Sequence, residues 1–136
     1  LGKILLKPTY IYVDVILDLF SKNLIKTCSH ITGGGVTENL PRSISKNTKA
    51  VIDLNKWKLP AIFKWISSFN VSQNEMLRTF NCGYGMVIII DKKNLSRVRK
   101  VIKKYKFKSD IIGNVEIKKS AKEKSIKFIG RLNFND

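Results

Sequence analysis

The chain has 136 residues, 43% of them hydrophobic, and 26 Lys plus Arg against 10 Asp plus Glu give a formal net charge of +16. That size fits one domain with a real core and excludes two domains with a cleft between them, while the apolar content excludes a disordered tail. No apolar run approaches the roughly 18 residues of a membrane span, no small-residue cleavage site marks a leader, and two cysteines with one histidine make neither a disulfide scaffold nor a His-based metal site.

Residues 9–23 form the first predicted helix. Tyr12, Val15, Ile16, Leu19 and Phe20 recur at helical spacing, with Asp14, Asp18 and Lys22 on another face and Pro8 and Thr9 as start signals. Residues 24–32 read as a strand or extended lead-in that must break at Gly33, Gly34 and Gly35. A short helix over 36–40 weakens at Pro41. Residues 48–54 predict a strand around Ala50, Val51 and Ile52. Pro60 suits the first turn of a helix reaching residue 69, whose apolar face is Ile62, Phe63, Ile66 and Phe69. A shorter helix over 74–79 leads through Cys82, Gly83, Tyr84 and Gly85 into a strand over 86–90, apolar at every position and therefore expected to be covered on both faces.

The clearest helix is 94–105, with Leu95, Val98, Val101, Ile102 and Tyr105 toward the core and Arg97, Arg99, Lys100, Lys103 and Lys104 toward water. Strands over 111–118 and 125–131 follow, and the intervening 119–124 reads as a hairpin turn. In the last strand Ile126 and Phe128, with Gly130 and Leu132 beyond, share one side. The order predicts an α/β (α+β-like) sandwich in which a mixed sheet is flanked by helices.

The positive charge is not concentrated in an obvious reading head. Arg, whose fork matches base edges and phosphates, appears only at 42, 78, 97, 99 and 131, and the lysines spread from Lys3 to Lys127. The basic helix face lacks the aromatic residues of a single-strand platform, so nucleic acid is not the expected partner. Trp57 and Trp65 are both expected to seal the core, as are Met76, Phe80 and Met86.

The densest chemistry runs from His30 to Arg42. Gly33, Gly34 and Gly35 allow backbone N–H groups to approach an anion, and the following helix start adds donors. Thr32 and Thr37 offer hydroxyls, Arg42 a fork for phosphate, and Asn39 both a donor and an acceptor. Neither a P-loop nor a dinucleotide fingerprint is present, and a plain turn between elements is the competing reading. His30 is either an acid, base or donor, or a packed residue. Residues 74–86 place Arg78 and Asn81 just before a buried strand, where a ligand could be met. Cys82 has no base or metal partner at useful spacing and is assigned no nucleophilic role.

Taken in order, His30-Ile-Thr-Gly-Gly-Gly, Glu38-Asn-Leu-Pro-Arg42, Thr48-Lys-Ala-Val-Ile-Asp53, Trp57, Glu75-Met76 and Arg78-Thr-Phe-Asn-Cys-Gly83 with Gly85-Met86 resemble the phosphoribosylformylglycinamidine cyclo-ligase family. Pro8-Thr9 and Ile11-Tyr12-Val13 agree with it as well, and the Lys-rich segments after Ile90 and over 118–127 depart from its more neutral surface. The resemblance covers nearly the whole chain but only the family's carboxyl-terminal domain, so residues 1–136 are expected to be that substrate- and phosphate-binding domain without the amino-terminal ATP-binding one.

The resemblance implies a cytoplasmic, homodimeric enzyme of purine biosynthesis that closes a ring at the expense of ATP, with Mg²⁺ held mainly by the amino-terminal domain. The amide oxygen of formylglycinamidine ribonucleotide is phosphorylated, the amidine nitrogen attacks that carbon, and phosphate leaves to give 5-aminoimidazole ribonucleotide. It implies that Thr32, Gly33, Gly34, Gly35, Asn39, Arg42 and Arg78 bind substrate or phosphate, with His30 and Asn81 as catalytic candidates and no metal ligand in this chain. The isolated domain is expected to be inactive. Two alternatives are a basic phosphate- or nucleic-acid-binding module without catalysis and a free-standing nucleotide-phosphate binder.

Overall fold

Two sheets share the five strands of residues 2–135, the part of the chain that the computed structural model describes. The strands are β1 (Thr27–His30), β2 (Thr48–Asp53), β3 (Met86–Ile89), β4 (Gly113–Ile117) and β5 (Ile126–Ile129). The helices are α1 (Gly2–Leu5), α2 (Val13–Ser21), α3 (Gly35–Asn39), α4 (Ala61–Ser67), α5 (Gln73–Thr79) and α6 (Leu95–Lys104). The mixed sheet flanked by helices is present, in the order β4-β2-β5, and β1 and β3 form a separate antiparallel ribbon.

The ribbon is the middle layer. Val87 and Ile89 of β3 face a core with Ile31, Val36, Leu40, Ile52 and Met76, while Cys28, Ile88 and Ile90 face a second core with Val15, Leu19, Val98 and Ile102. The unbroken apolar run over 86–90 therefore serves two cores at once, as a strand covered on both sides must. Helices α2 and α6 close the second core. Helices α3 and α5 lie in the first, together with one face of the mixed sheet carried by Ala50, Ile52, Ile126 and Phe128.

Four local expectations change. Residues 119–124 are not a hairpin turn, because β4 pairs antiparallel with one edge of β2 and β5 pairs parallel with the other. The connection crosses the end of β2 instead, and Glu123 within it accepts from the backbone N–H of Lys119 (2.6 Å) and pairs with Lys49, which is buried at 9% exposure in β2. Helix α2 starts at Val13 rather than residue 9, since Pro8 and its neighbours lie in an exposed connection without regular structure. Trp65 (43% exposed) and Phe69 (63%) lie outside the core and pack edge-to-face on each other at 4.9 Å. Strand β5 ends at Ile129 because Gly130 turns through φ 74°, after which Leu132 returns to the core.

Helix α5 starts at a side-chain N-cap: the Ser72 hydroxyl oxygen accepts from the Glu75 N–H at 3.3 Å. Gln73 at its first turn accepts from Leu132 N–H at 2.8 Å, tying the tail to the helix that supports the glycine loop.

Candidate functional site

The end of the β1–β3 ribbon gathers the residues that the sequence singled out. Ile31 N–H donates to Gly85 O at 2.9 Å, so the loop leaving β1 and the turn entering β3 lie side by side. The first contains Thr32 and the three glycines, and the second contains Asn81, Cys82, Gly83 and Tyr84.

The glycine loop is packed from behind and open in front. Gly34 and Gly35 take φ of 95° and 57°, a region that L side chains rarely enter. A Cβ at Gly35 would run into the Leu77 carbonyl of α5, with the carbonyl carbon at 2.8 Å, and one at Gly34 would sit 2.8 Å from a Glu38 carboxylate oxygen. Gly33 differs, for nothing lies within 4 Å of its Cβ position. Asn39, buried at 7% exposure, braces the loop from inside: its Oδ1 accepts from Thr32 N–H at 2.7 Å and its Nδ2 donates to Gly33 O at 3.2 Å. Both ends of the amide are thus committed to the loop's shape. Thr37 is likewise turned inward, donating to Leu77 O at 3.1 Å.

Arg42 and Arg78 lie on two elements next to the loop. Arg42 follows α3 in a one-turn 3-10 helix, and Arg78 lies at the end of α5, whose backbone touches Gly35. Each is largely exposed and paired with a nearby carboxylate, Arg42 with Glu38 of α3 at 3.9 Å and Arg78 with Glu75 of α5 at 3.5 Å. Such exposed pairs contribute little and exchange readily for another anion. His30 is exposed at the end of β1 and meets the Tyr12 ring edge-on at 5.7 Å. Asn81 closes the neighbouring turn, its Oδ1 accepting from Gly83 N–H at 3.0 Å.

Sequence reasoning missed the bracing around that turn. Tyr12, read as part of a helix face, lies ahead of α2 with its hydroxyl against Gly85, where no Cβ would fit. Trp57 is buried as expected and donates from Nε1 to Cys82 O at 2.9 Å. Tyr84 packs edge-on against Trp57 at 4.8 Å and donates to Asp110 at 2.9 Å, and Asp110 also pairs with Lys58. No local pattern joins Asp110 to residue 84; only the chain's return after α6 does. Burial pushes the Tyr84 phenol up to about 12, and its hydrogen bond to Asp110 adds to the rise. The bond from Lys58 holds the Asp110 carboxyl below its ordinary value. Burial also lifts the Cys82 thiol to about 12, so it is not a nucleophile near neutral pH.

The donors at the ribbon end suit phosphoryl oxygen: a glycine with open space in front, a threonine and two arginines. They do not suit a metal. Among the described residues, no group of three or more His, Cys, Asp or Glu could hold one.

The family model described as AIR synthase related protein, C-terminal domain, matches residues 1–124. The chain belongs to this AIR synthase related family. It is 39% identical over 127 residues, 93% of its length, to a phosphoribosylformylglycinamidine cyclo-ligase of Ligilactobacillus salivarius, and those residues make up 37% of that protein. It is 48% identical over 100 residues, 73% of its length, to a protein of the same name from Neisseria gonorrhoeae, of which they make up 29%. The chain therefore spans about a third of the curated relatives that it matches. No helix among the described residues is long and apolar enough to cross a membrane.

Proposed function

We propose that this chain is the carboxyl-terminal, phosphate-binding part of an enzyme that cyclises formylglycinamidine ribonucleotide to 5-aminoimidazole ribonucleotide, ADP and phosphate. The observation that carries the reading is the 39% identity to a cyclo-ligase over 127 of the 136 residues, a span that takes in the glycine loop. The geometry supports it, because the loop is held in shape by Asn39 and α5 yet keeps Gly33 open.

In this reading Gly33, Gly34 and Thr32 meet phosphate oxygens. Arg42 and Arg78 release their own carboxylates to neutralise the added charge. Asn39 acts from behind by fixing the loop. His30 and Asn81, beside the loop, orient the reacting amide and amidine. ATP supplies the phosphoryl group that makes the amide oxygen a leaving group, and the residues of this chain fit its phosphates. The ligands for Mg²⁺ belong to an amino-terminal, ATP-binding domain, and the complete protein works in the cytoplasm as a homodimer.

Two measurements test this. The 136-residue chain alone should give no ATP-dependent turnover of the amidine, and the complete product of its gene should restore it; full activity of the chain alone would refute the two-domain reading. Arg42→Ala should weaken binding of a phosphate-bearing ligand by roughly 1.5–3 kcal/mol, the range for a charge-assisted hydrogen bond. Its urea midpoint should stay close to the parent's, and unchanged binding would remove Arg42 from the site.

A further inference from the structure

Tyr12 carries a polar atom that the fold does not use. Of the four tyrosines in the chain, Tyr84 donates to Asp110 at 2.9 Å, Tyr105 donates to Asp18 at 3.0 Å, and Tyr10 accepts from Lys7 at 3.4 Å. Among the described residues, the Tyr12 hydroxyl has no hydrogen-bond partner. A tyrosine packed against a core ordinarily finds one. Its ring is nonetheless fixed in place. Tyr12 is half-buried against the second core, stacks on Phe107 with ring centres 5.4 Å apart, and meets His30 edge-on at 5.7 Å. Tyr10 adds a tilted contact at 6.4 Å. Burial, aided by the neighbouring Tyr10 phenol, raises the Tyr12 phenol above its ordinary 10.0, so the hydroxyl keeps a proton to donate.

Gly85 makes room for that hydroxyl. Its φ lies outside the left-handed region, so the backbone there does not call for glycine. A Cβ at Gly85 would overlap the Tyr12 hydroxyl oxygen, while the next nearest atoms, Cζ and Cε2 of the same ring, would lie at 3.3 and 3.4 Å. The missing side chain thus clears space for one oxygen that bonds nothing in the described chain. That oxygen stands near the open face of the glycine loop. Gly85 O accepts from Ile31 N–H at 2.9 Å, and Ile31 comes two residues before Gly33, a separation of at most about 7 Å. A group carried on a phosphate in front of Gly33 is therefore within reach of His30 and Tyr12. In a ribonucleotide that group is the ribose, whose hydroxyls both donate and accept.

We propose that the Tyr12 hydroxyl is a further substrate contact, hydrogen-bonded to the ribose of a ribonucleotide whose own phosphate occupies the glycine loop. Tyr12 thereby selects for a sugar on the phosphate. The inference rests on the phosphate-binding reading above and says which phosphate the loop holds. The terminal phosphates of ATP lie far from its ribose and would leave the hydroxyl without a partner. Because neighbouring rings already fix Tyr12, little side-chain freedom is lost when the contact forms.

Binding of inorganic phosphate and of ribose 5-phosphate to the complete gene product, measured by titration calorimetry, tests it. The parent should bind ribose 5-phosphate more tightly than inorganic phosphate. Tyr12→Phe should weaken ribose 5-phosphate roughly three- to tenfold and leave inorganic phosphate unchanged, with a melting temperature within about 2 °C of the parent's. Gly85→Ala, which displaces the hydroxyl, should cost the parent a similar factor and cost Tyr12→Phe nothing further. Equal ribose 5-phosphate affinities in the parent and Tyr12→Phe would overturn the proposal. So would losses that multiply in the double variant, because they would trace the effect to packing of the turn. A parent that binds ribose 5-phosphate no better than inorganic phosphate overturns this inference and leaves the phosphate-binding reading standing, whereas a parent that binds neither refutes both.

Discussion

At the ribbon end, the loop after β1 and the turn before β3 both pass through left-handed glycine, at Gly34 (φ 95°) and Gly83 (φ 98°), yet their surroundings differ. The turn is enclosed. A Cβ at Gly83 would come within 2.6 Å of the Pro60 ring, Trp57 donates to the Cys82 carbonyl, and Tyr84 is pinned between Trp57 and Asp110. The loop is enclosed only behind Gly34 and Gly35, and Gly33 faces open space. One bend is braced by its neighbours and the other leaves Gly33 uncovered, the face that the proposed function gives to phosphate; what lies opposite each glycine, rather than glycine itself, makes the difference.

Substitution inside the loop should expose that contrast most strongly. Gly35→Ala forces a Cβ into the Leu77 carbonyl at φ 57°, and a loss of about 3 kcal/mol or more of folding stability is expected in urea denaturation. Gly33→Ala, two residues earlier, should stay within about 0.5 kcal/mol and weaken phosphate binding instead. Similar stability losses at the two positions would erase the distinction between back and front. In the enclosed turn, Trp57→Phe leaves the Cys82 carbonyl without its donor and should cost about 1–3 kcal/mol with no direct effect on ligand affinity.

The smallest effect is a pH dependence of the enclosed turn. The Tyr84 phenol titrates at 10.0 in the unfolded chain and about 12 in the fold, so the folded state keeps its proton longer. Stability is then full below pH 10.0 and falls as pH rises toward 12. Solvent screening at this partly exposed ring limits the loss to under about 1 kcal/mol. Cys82 pushes in the same direction from 9.0 to about 12, so Tyr84→Phe should flatten the alkaline decline only in part. Parallel declines in parent and mutant would show that Tyr84 takes no part.

What the sequence disclosed follows the range of the forces involved. Helix α6, strand β3 and the α5 segment were legible because spacing along a few residues decides which side chains face a core. The glycine loop and Asn81 were legible as separate motifs, and the Ile31–Gly85 hydrogen bond brings their two segments side by side at one ribbon end. The division into ribbon and mixed sheet was not, since insertion of β2 between β4 and β5 depends on partners far apart in sequence. The buried Lys49 was the hidden clue: a charge in the middle of an inner strand needs a distant carboxylate, and Glu123 in the crossing connection provides it. The exposure of Trp65 and Phe69 was equally invisible, because helical spacing gives the apolar side of α4 and not how far the core reaches along it. Asn39 was singled out as a ligand contact, and sequence gave no sign that both ends of its amide would be used within the loop.

The parallel pairing of β2 with β5 also has a consequence for how the chain comes off the ribosome. Residues 48–53 are made well before Ile126 and Phe128, which pair with Ala50 and Ile52 along that edge. Until then the nascent strand carries an open row of amides and carbonyls that could recruit a neighbouring chain. Lys49, next to that row, is a guard, because a positive charge repels its own copies on adjacent nascent chains. Glu116 in β4 and Glu123 just ahead of β5 both pair with Lys49, so that charge is neutralised as the two edges of β2 are filled.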